Sequence, residues 1–388
     1  MIVGICSDGY PSPGLPYSAF IQVLAREIVR QGHEVIVVAP QSLTNHFFRK
    51  GKLAPRRYED EVSVNGVTKA IAVYRPYSIT FGEGILGWLT PKFNRWATEK
   101  VIKQESLEPD IFYAHFWANG FNAERIARKK KKPLFVATGE DKINITDFLS
   151  EKDVFRLKNG VSGVICVSTK NKEESIGRSL TVSDKCVVIP NAYNPEDFHQ
   201  LNRLQERKLH GYPSSSFIVS FCGRFNKRKG AMRVAEAIRL LHDDNIKSIF
   251  IGTPADNEHE QPECDGILFR GGLPHEQINS YLNCSDAFVL PSLAEGCPNS
   301  VIEAMACGLP IISSDLPFNY DILSNENAIL VDPLDVKAIA AAIKQLKDND
   351  SLKDRLAKDS LTKAKELTIK ERVSKILMFI QGRCAQNV

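Results

Sequence analysis

Residues 287–310 read Ala287-Phe288-Val289-Leu290-Pro291-Ser292-Leu293-Ala294-Glu295-Gly296-Cys297-Pro298-Asn299-Ser300-Val301-Ile302-Glu303-Ala304-Met305-Ala306-Cys307-Gly308-Leu309-Pro310. The opening apolar run is short and unbroken, the signature of a buried strand. Gly308-Leu309-Pro310 is a helix stop, and Ile311-Ile312-Ser313 begins another apolar run. Glu295 therefore falls in a strand-to-helix loop, and Glu303, eight positions on, in the first turns of a helix. Gly296, Cys297, Pro298, Asn299 and Ser300 lie between them, mostly small or capping residues that leave the helix start open. Such a start offers backbone N–H groups and the positive end of a dipole, which suits a phosphate. Two carboxylates beside it can accept hydrogen bonds from sugar hydroxyls. A plainer reading is open on the same letters. Ser300-Val301-Ile302-Glu303 fits a capping box in which Glu303 reaches back to the Ser300 N–H, with Glu295 a solvated loop charge.

Outward from this stretch the chain alternates strand and helix. Ile2–Cys6 reads as a strand, about Tyr17 to Gln31 as a helix and Glu34–Ala39 as a strand, a unit that implies a parallel sheet. The rhythm recurs in strands at Asp110–Ala114, Leu134–Ala137 and Gly163–Val167, helices at Gly120–Lys131 and Lys170–Leu180, and a closing Val187–Asn191. Tyr193 to Ser216 is polar and rich in turn residues, a linker. A second half restarts with a strand at Phe217–Cys222, a helix at Gly230–His242 and a strand at Ser248–Ile251. Gly266–Phe269 and His275–Cys284 lead into the quoted stretch, and Ala328–Val331, Val336–Lys347 and Ser351–Leu367 follow it. An amphipathic segment from Ile369 to about Gln381 ends the chain. The expected class is α/β, with two Rossmann-like, doubly wound domains facing across a cleft and ligands at the carboxyl ends of the strands.

Composition agrees with a globular protein of this kind. At 388 residues, two domains are the natural division. A net charge of +4 is too near balance to argue for nucleic acid. Nine cysteines form no C-x-x-C pair and several lie in strand-like runs, as buried thiols of a reducing compartment do. Met1–Asp8 reads as a first strand rather than a signal peptide, and no run is long enough to span a bilayer.

Two further loops carry chemistry. Gly223-Arg224-Phe225-Asn226-Lys227-Arg228-Lys229-Gly230 is a basic, glycine-bounded turn between a strand and a helix. It suits a diphosphate, with Arg224 as a planar fork and Lys229 as a point charge. Arg228 rivals Lys229, and a solvated turn is the plainer alternative. His115 stands at the carboxyl end of the Asp110–Ala114 strand, where sites gather. Thr138-Gly139-Glu140-Asp141 ends the next strand, and its two acids line the same cleft or are plain loop charges.

Residues 295–310 resemble the E-x7-E signature of the retaining glycosyltransferases of family 4, E-G-x-P-x-x-x-x-E-A-M-A-x-G-x-P, and match every fixed position of it. The loop at 223–230 is similar to that family's G-R-x4-K-G element and stands in the same order relative to it. The resemblance implies the GT-B fold, with an acceptor-side domain at 1–192, a nucleotide-sugar domain at 193–368 and a helix at 369–388 crossing back. It implies a retaining hexosyltransferase of surface-polysaccharide or glycolipid assembly. The donor is a nucleotide-sugar, most commonly of UDP, and the acceptor a saccharide or a lipid-linked glycan. It implies no metal and no cofactor. Glu303 would hold the ribose hydroxyls, Glu295 the donor sugar, and Arg224 and Lys229 the departing diphosphate, with Gly296, Cys297, Pro298, Asn299 and Ser300 around them. His115 would lie near the transferred sugar's reacting face. Relatives carry two adjacent glycines in the first loop, whereas this chain has Gly14-Leu15 among Pro11, Pro13 and Pro16, leaving Gly14 for close approach to the donor. Asn191 resembles a structural residue at the hinge.

Other classes fit less well. The first β-α turn lacks G-x-G-x-x-G and G-x-x-x-x-G-K-[ST], against NAD binding and an NTPase. The only D-x-D, Asp348-Asn349-Asp350, sits in a polar break between helices and reads as a turn. A sugar-nucleotide 2-epimerase and a silent nucleotide-sugar-binding subunit remain as alternatives. Basic stretches at 46–57 and 125–132, with aromatic residues at 85–96 between them, are solvated surface by default. Their sharper reading is contact with anionic lipid, on the inner face of the membrane from the cytoplasm.

Overall fold

The computed structural model describes residues 1–12, 19–49, 51–81, 86–254 and 261–386; Gly14 lies outside them. The chain divides into two compact units, Met1–Ile189 with Arg372–Val388, and Pro190–Glu371.

The first unit runs β1 (Ile2–Cys6), α1 (Ala19–Arg30), β2 (Glu34–Val38), β3 (Gln41–Ser42), α2 (Leu43–Arg49), β4 (Arg57–Val64), β5 (Val67–Tyr74) and β6 (Tyr77–Ser78). It continues with α3 (Thr90–Gln104), β7 (Ile111–His115), α4 (Trp117–Lys130), β8 (Leu134–Thr138), α5 (Glu151–Gly160), β9 (Gly163–Cys166), α6 (Thr169–Gly177) and β10 (Cys186–Val188). Eight of these strands form one sheet, ordered β10-β9-β8-β7-β1-β2-β5-β4. All its pairings are parallel except β4 on β5. Full burial along β7, β8 and β9 explains their unbroken apolar runs, since helices cover both faces of a parallel sheet. Helix α4 packs closely on β8 through Gly120, where a Cβ would stand 2.8 Å from Val136 Cγ2.

The β4–β5 hairpin is an element that the strand-helix rhythm did not anticipate. Asn65 (φ 51°) and Gly66 (φ 79°) make its two-residue left-handed turn, and Asn-Gly between alternating runs is a strong hairpin signal. Helix α4 also begins three residues before Gly120, because Phe116 turns left-handed at φ 71° and lets the helix start at once.

The second unit runs α7 (Arg203–His210), β11 (Phe217–Cys222), α8 (Ala231–Leu241), β12 (Ile246–Ile251), β13 (Ile267–Gly271), α9 (His275–Asn283), β14 (Ala287–Leu290) and α10 (Asn299–Ala306). Then come β15 (Ile311–Ser314), β16 (Ala328–Val331), α11 (Val336–Asp348), α12 (Asp350–Ala364) and α13 (Ile369–Ala385). Its sheet is ordered β13-β12-β11-β14-β15-β16, every neighbour parallel. From Arg372 onward α13 belongs to the first unit, with Arg383 Nε donating to Ser162 O at 3.1 Å and Phe379 edge-on to Phe135.

Among the parallel strands of each sheet the order reverses once, between β1 and β7 in the first and between β11 and β14 in the second. Ligands of doubly wound sheets bind outside the carboxyl ends of the strands that flank such a reversal. The loops after β11 and β14 are those of Arg224–Lys229 and Glu295, and β7 ends on His115. None of the nine cysteines is in a disulfide, and Cys6, Cys166, Cys222, Cys284, Cys297 and Cys307 are buried.

Candidate functional site

In the second unit the loops after β11 and β14 are joined to each other. The first is fixed from behind by close backbone approach. Gly223 N–H donates to Ile251 O at 2.9 Å, and a Cβ on Gly252 would stand 1.9 Å from Gly223 O. Gly230 ends the loop at φ 84° and opens α8. Across from it, Leu293 N–H donates to Arg228 O at 2.8 Å, and the Arg228 guanidinium donates to Ala294 O at 2.7 Å.

These contacts deliver Lys229 to Glu295. Their ion pair spans 2.5 Å, with Glu295 buried and Lys229 largely so. Ser292 Oγ donates to Glu295 Oε1 at 2.6 Å, and Arg228 stands 3.4 Å from Oε2. Arg228 is thus a positioning cation that braces both the loop and the carboxylate, while Lys229 is the inner charge. Arg224 is exposed on the same loop.

Glu303 projects from the second turn of α10 and is half-buried. Burial, together with the nearby negative charge of Asp197, pushes its carboxyl up to about 7, against the pull of Lys229. Lys229 therefore acts on both glutamates at once. Helix α10 opens at Asn299 with Pro298 at its N-cap and no side-chain cap. Ser300 is then the second helical residue, two positions too late for the capping box that the sequence also allowed. Gly296, Cys297 and Pro298 are buried, Asn299 is exposed and Ser300 half-buried. Asn191 donates from Nδ2 to Cys297 O at 3.0 Å, a structural role for that side chain. The helix stops as its letters demand, with Gly308 left-handed at φ 73° and Leu309 N–H returning to Ala304 O.

In the first unit His115 is 9% exposed, its ring 5.0 Å from that of Phe20 and 4.1 Å from that of Phe116. Its Nδ1 is buried, with no hydrogen-bond partner among the described residues. Burial first, then the positive charge of Arg372, pushes the imidazole down to about 3, so at neutral pH it is uncharged. A neutral imidazole can exchange hydrogen bonds with a hydroxyl but cannot serve as a standing cation. Asn119 bridges the two loops at the strand reversal, donating to Asp8 Oδ1 and to His115 O, each at 2.7 Å.

Glu140 has a role that its place in a loop did not disclose. Its Oε1 accepts from Trp117 N–H at 2.8 Å, and its Oε2 from Thr138 Oγ1 at 2.6 Å and Gly139 N–H at 2.9 Å. It caps α4 from the neighbouring strand, in place of Phe116, which supplies no side-chain cap. By fixing Trp117 it also holds the left-handed Phe116 and the His115 backbone before it. Glu140→Ala is expected to cost about 1–2 kcal/mol, a fall in melting temperature of several degrees. Glu140→Gln, which retains an acceptor, should recover part of that fall in a thermal melt.

With this geometry in place, comparison with known proteins is direct. The model described as Glycosyltransferase Family 4 matches residues 18–197, and that described as Glycosyl transferases group 1 matches residues 202–362. The teichuronic acid biosynthesis glycosyltransferase TuaC of Bacillus subtilis is 29% identical over 360 residues, 90% of each chain. The UDP-Gal:alpha-D-GlcNAc-diphosphoundecaprenol alpha-1,3-galactosyltransferase of Escherichia coli is 28% identical over 272 residues, 65% of this chain and 70% of its own. Sucrose-phosphate synthase of Thermosynechococcus elongatus superposes with a TM-score of 0.77 over 99% of both chains at 16% identity, a likeness of fold alone. Matched in both halves by family models that together span most of its length, the chain belongs to the family 4, group 1 glycosyltransferases of GT-B fold.

Proposed function

We propose that this protein is a retaining hexosyltransferase that moves a sugar from UDP to a lipid-linked or saccharide acceptor in surface-polysaccharide or glycolipid assembly. The observation that carries the reading is the meeting of Lys229, Glu295 and Glu303 at the strand reversal of the second unit. In this reading Glu303 accepts from the ribose hydroxyls and Glu295 from hydroxyls of the donor sugar. Arg224 and Lys229 carry the charge that builds on the departing diphosphate, beside the start of α10, and need no metal for it. Gly296, Cys297, Pro298, Asn299 and Ser300 line the donor. The acceptor hydroxyl attacks on the face that the leaving group vacates, so the anomeric configuration is kept, and His115 serves the acceptor as a neutral hydrogen-bonding group.

The choice of UDP and of a lipid-linked acceptor is supported by the Escherichia coli relative, whose name states both. A polysaccharide setting is supported by the Bacillus subtilis relative. We place the enzyme in the cytoplasm, working against the inner face of the membrane; among the described residues no helix is long and apolar enough to cross one.

A thermal-shift series with UDP-, GDP- and ADP-sugars tests the donor. Saturating ligand at about a hundred times its Kd adds about 2.7 kcal/mol, so a UDP-sugar should raise the melting temperature and the others should not. No shift with any of them would remove the reading. NMR of the donor incubated alone should show an unchanged sugar, because only an epimerase alters it without an acceptor.

A further inference from the structure

The turn before α3 and α3 itself carry a repeat that the glycosyl-transfer site does not use. Trp88, Lys92, Trp96 and Lys100 recur every fourth residue, which places them along one side of a helix. All four are exposed, and the ammonium groups sit over the indoles, Lys92 at 4.1 Å from Trp88 and Lys100 at 4.7 Å from Trp96. The single acid of Thr90–Gln104, Glu99, points the other way, buried and paired with Arg125 and Lys129. Aromatic rings are normally buried, yet Trp88 is 45% and Trp96 52% exposed.

The same corner of the first unit holds more exposed apolar surface. Phe47 and Phe48 on α2 are 71% and 84% exposed, and Leu86 and Ile79 are exposed as well. Helices α2 and α3 flank one small ribbon, β3 paired with β6. Thr44 at the start of α2 is bonded to Thr80, Asn94 of α3 accepts from Ser78, and Thr90 accepts from Phe81 N–H. The ribbon's strands directly follow β2 and β5, which run parallel to β7, so the patch lies toward the carboxyl ends of the strands, the side on which β7 ends at His115.

We infer that the exposed side of α3, with the turn before it and the two phenylalanines of α2, is a docking face for an anionic lipid bilayer. Indoles belong at headgroup level, and lysines beside them reach lipid phosphates while their stems cover the rings. Phe47, Phe48 and Leu86 have no hydrogen-bonding side-chain group, which suits the acyl boundary and not the polar edges of a nucleic acid. The other basic stretch is a poorer candidate, because Arg128, Lys129, Lys130 and Lys132 are each paired with an acid of the fold. The inference rests on the lipid-linked acceptor proposed above, which it would bring beside the acceptor domain's strand ends.

Flotation of the purified full chain with vesicles of phosphatidylcholine, with and without phosphatidylglycerol, tests it. Binding is expected only with phosphatidylglycerol, falling as salt shortens the screening length. The doubles Trp88→Ser with Trp96→Ser and Lys92→Glu with Lys100→Glu should each weaken binding about tenfold, with unchanged melting curves and unchanged stabilisation by nucleotide-sugar. Negligible flotation on both vesicles, equal flotation on both, or variants that float as the wild type does would overturn the inference. So would self-association or nucleic-acid binding lost in the same variants without any vesicle binding. Flotation needs neither donor nor acceptor, so its failure would leave the transfer reading standing, and an absent thermal shift would leave the docking face standing.

Discussion

Lys229→Ala is expected to lower the rate of sugar transfer by about 10²–10³, the loss that follows removal of one preorganised charge from a developing anion. A 2.5 Å pair with Glu295, in a largely buried setting, holds the Lys229 ammonium where the proposed diphosphate would meet it. When the diphosphate binds, the ammonium has donors enough to serve both it and the carboxylate. Glu295→Gln keeps the shape and an acceptor for Ser292 but removes the charge that orients Lys229, and should lose transfer by a similar factor. The two losses should not add in the double variant, because each removes part of one unit. Stability separates the effects. Breaking a buried pair can cost about 3–5 kcal/mol, yet Arg228 still faces Glu295 when Lys229 is gone, so a smaller cost is expected. Rates should therefore be measured well below the melting point, with circular dichroism on each variant. Wild-type transfer by both single variants would remove Lys229 and Glu295 from the chemistry.

The two α/β halves were legible because parallel strands covered on both faces are written as continuous apolar runs, as in Phe217–Cys222 and Ala287–Leu290. The strand order was not legible, since nothing in the letters says that β11 lies beside β14. That adjacency is what brings a loop at 223–230 against one 66 residues later and makes Glu295 and Lys229 partners. Helix α3 went unread for a different reason. Its buried side includes Arg95 and Glu99, satisfied by Phe121 O and by Arg125 and Lys129, so polar letters interrupt the apolar period. Glu140 carried no signal either, because a loop carboxylate that caps a helix on another strand looks like any solvated one. Asn65-Gly66 did carry a signal, a two-residue turn between two eight-residue strands, which a reading by strand-helix rhythm passed over.

Glu303→Gln is expected to move stability and donor affinity in opposite directions. The folded chain holds this carboxyl at about 7, well above the 4.5 of an unburied glutamate. Between those two values the folded state binds a proton that the unfolded chain has released, so stability falls as pH rises through that window. The penalty is complete above pH 7 and absent below about pH 4. At 1.36 kcal/mol for each pH unit it amounts to about 3 kcal/mol at most. Glutamine has no charge to bury, so the variant should melt several degrees higher at pH 8 and no higher at pH 4. Donor binding should respond in reverse. A ribose hydroxyl bonds an ionised carboxylate more strongly than an amide, by about 1–2 kcal/mol, so the variant should bind nucleotide-sugar about tenfold more weakly at pH 8. Wild-type affinity should decline as pH drops below 7 while that of the variant stays flat. If Glu303 served only the helix start, glutamine would serve equally, and titration calorimetry would find one affinity for both proteins at every pH. That result would detach Glu303 from the donor while leaving its burial, and the stability shift, in place.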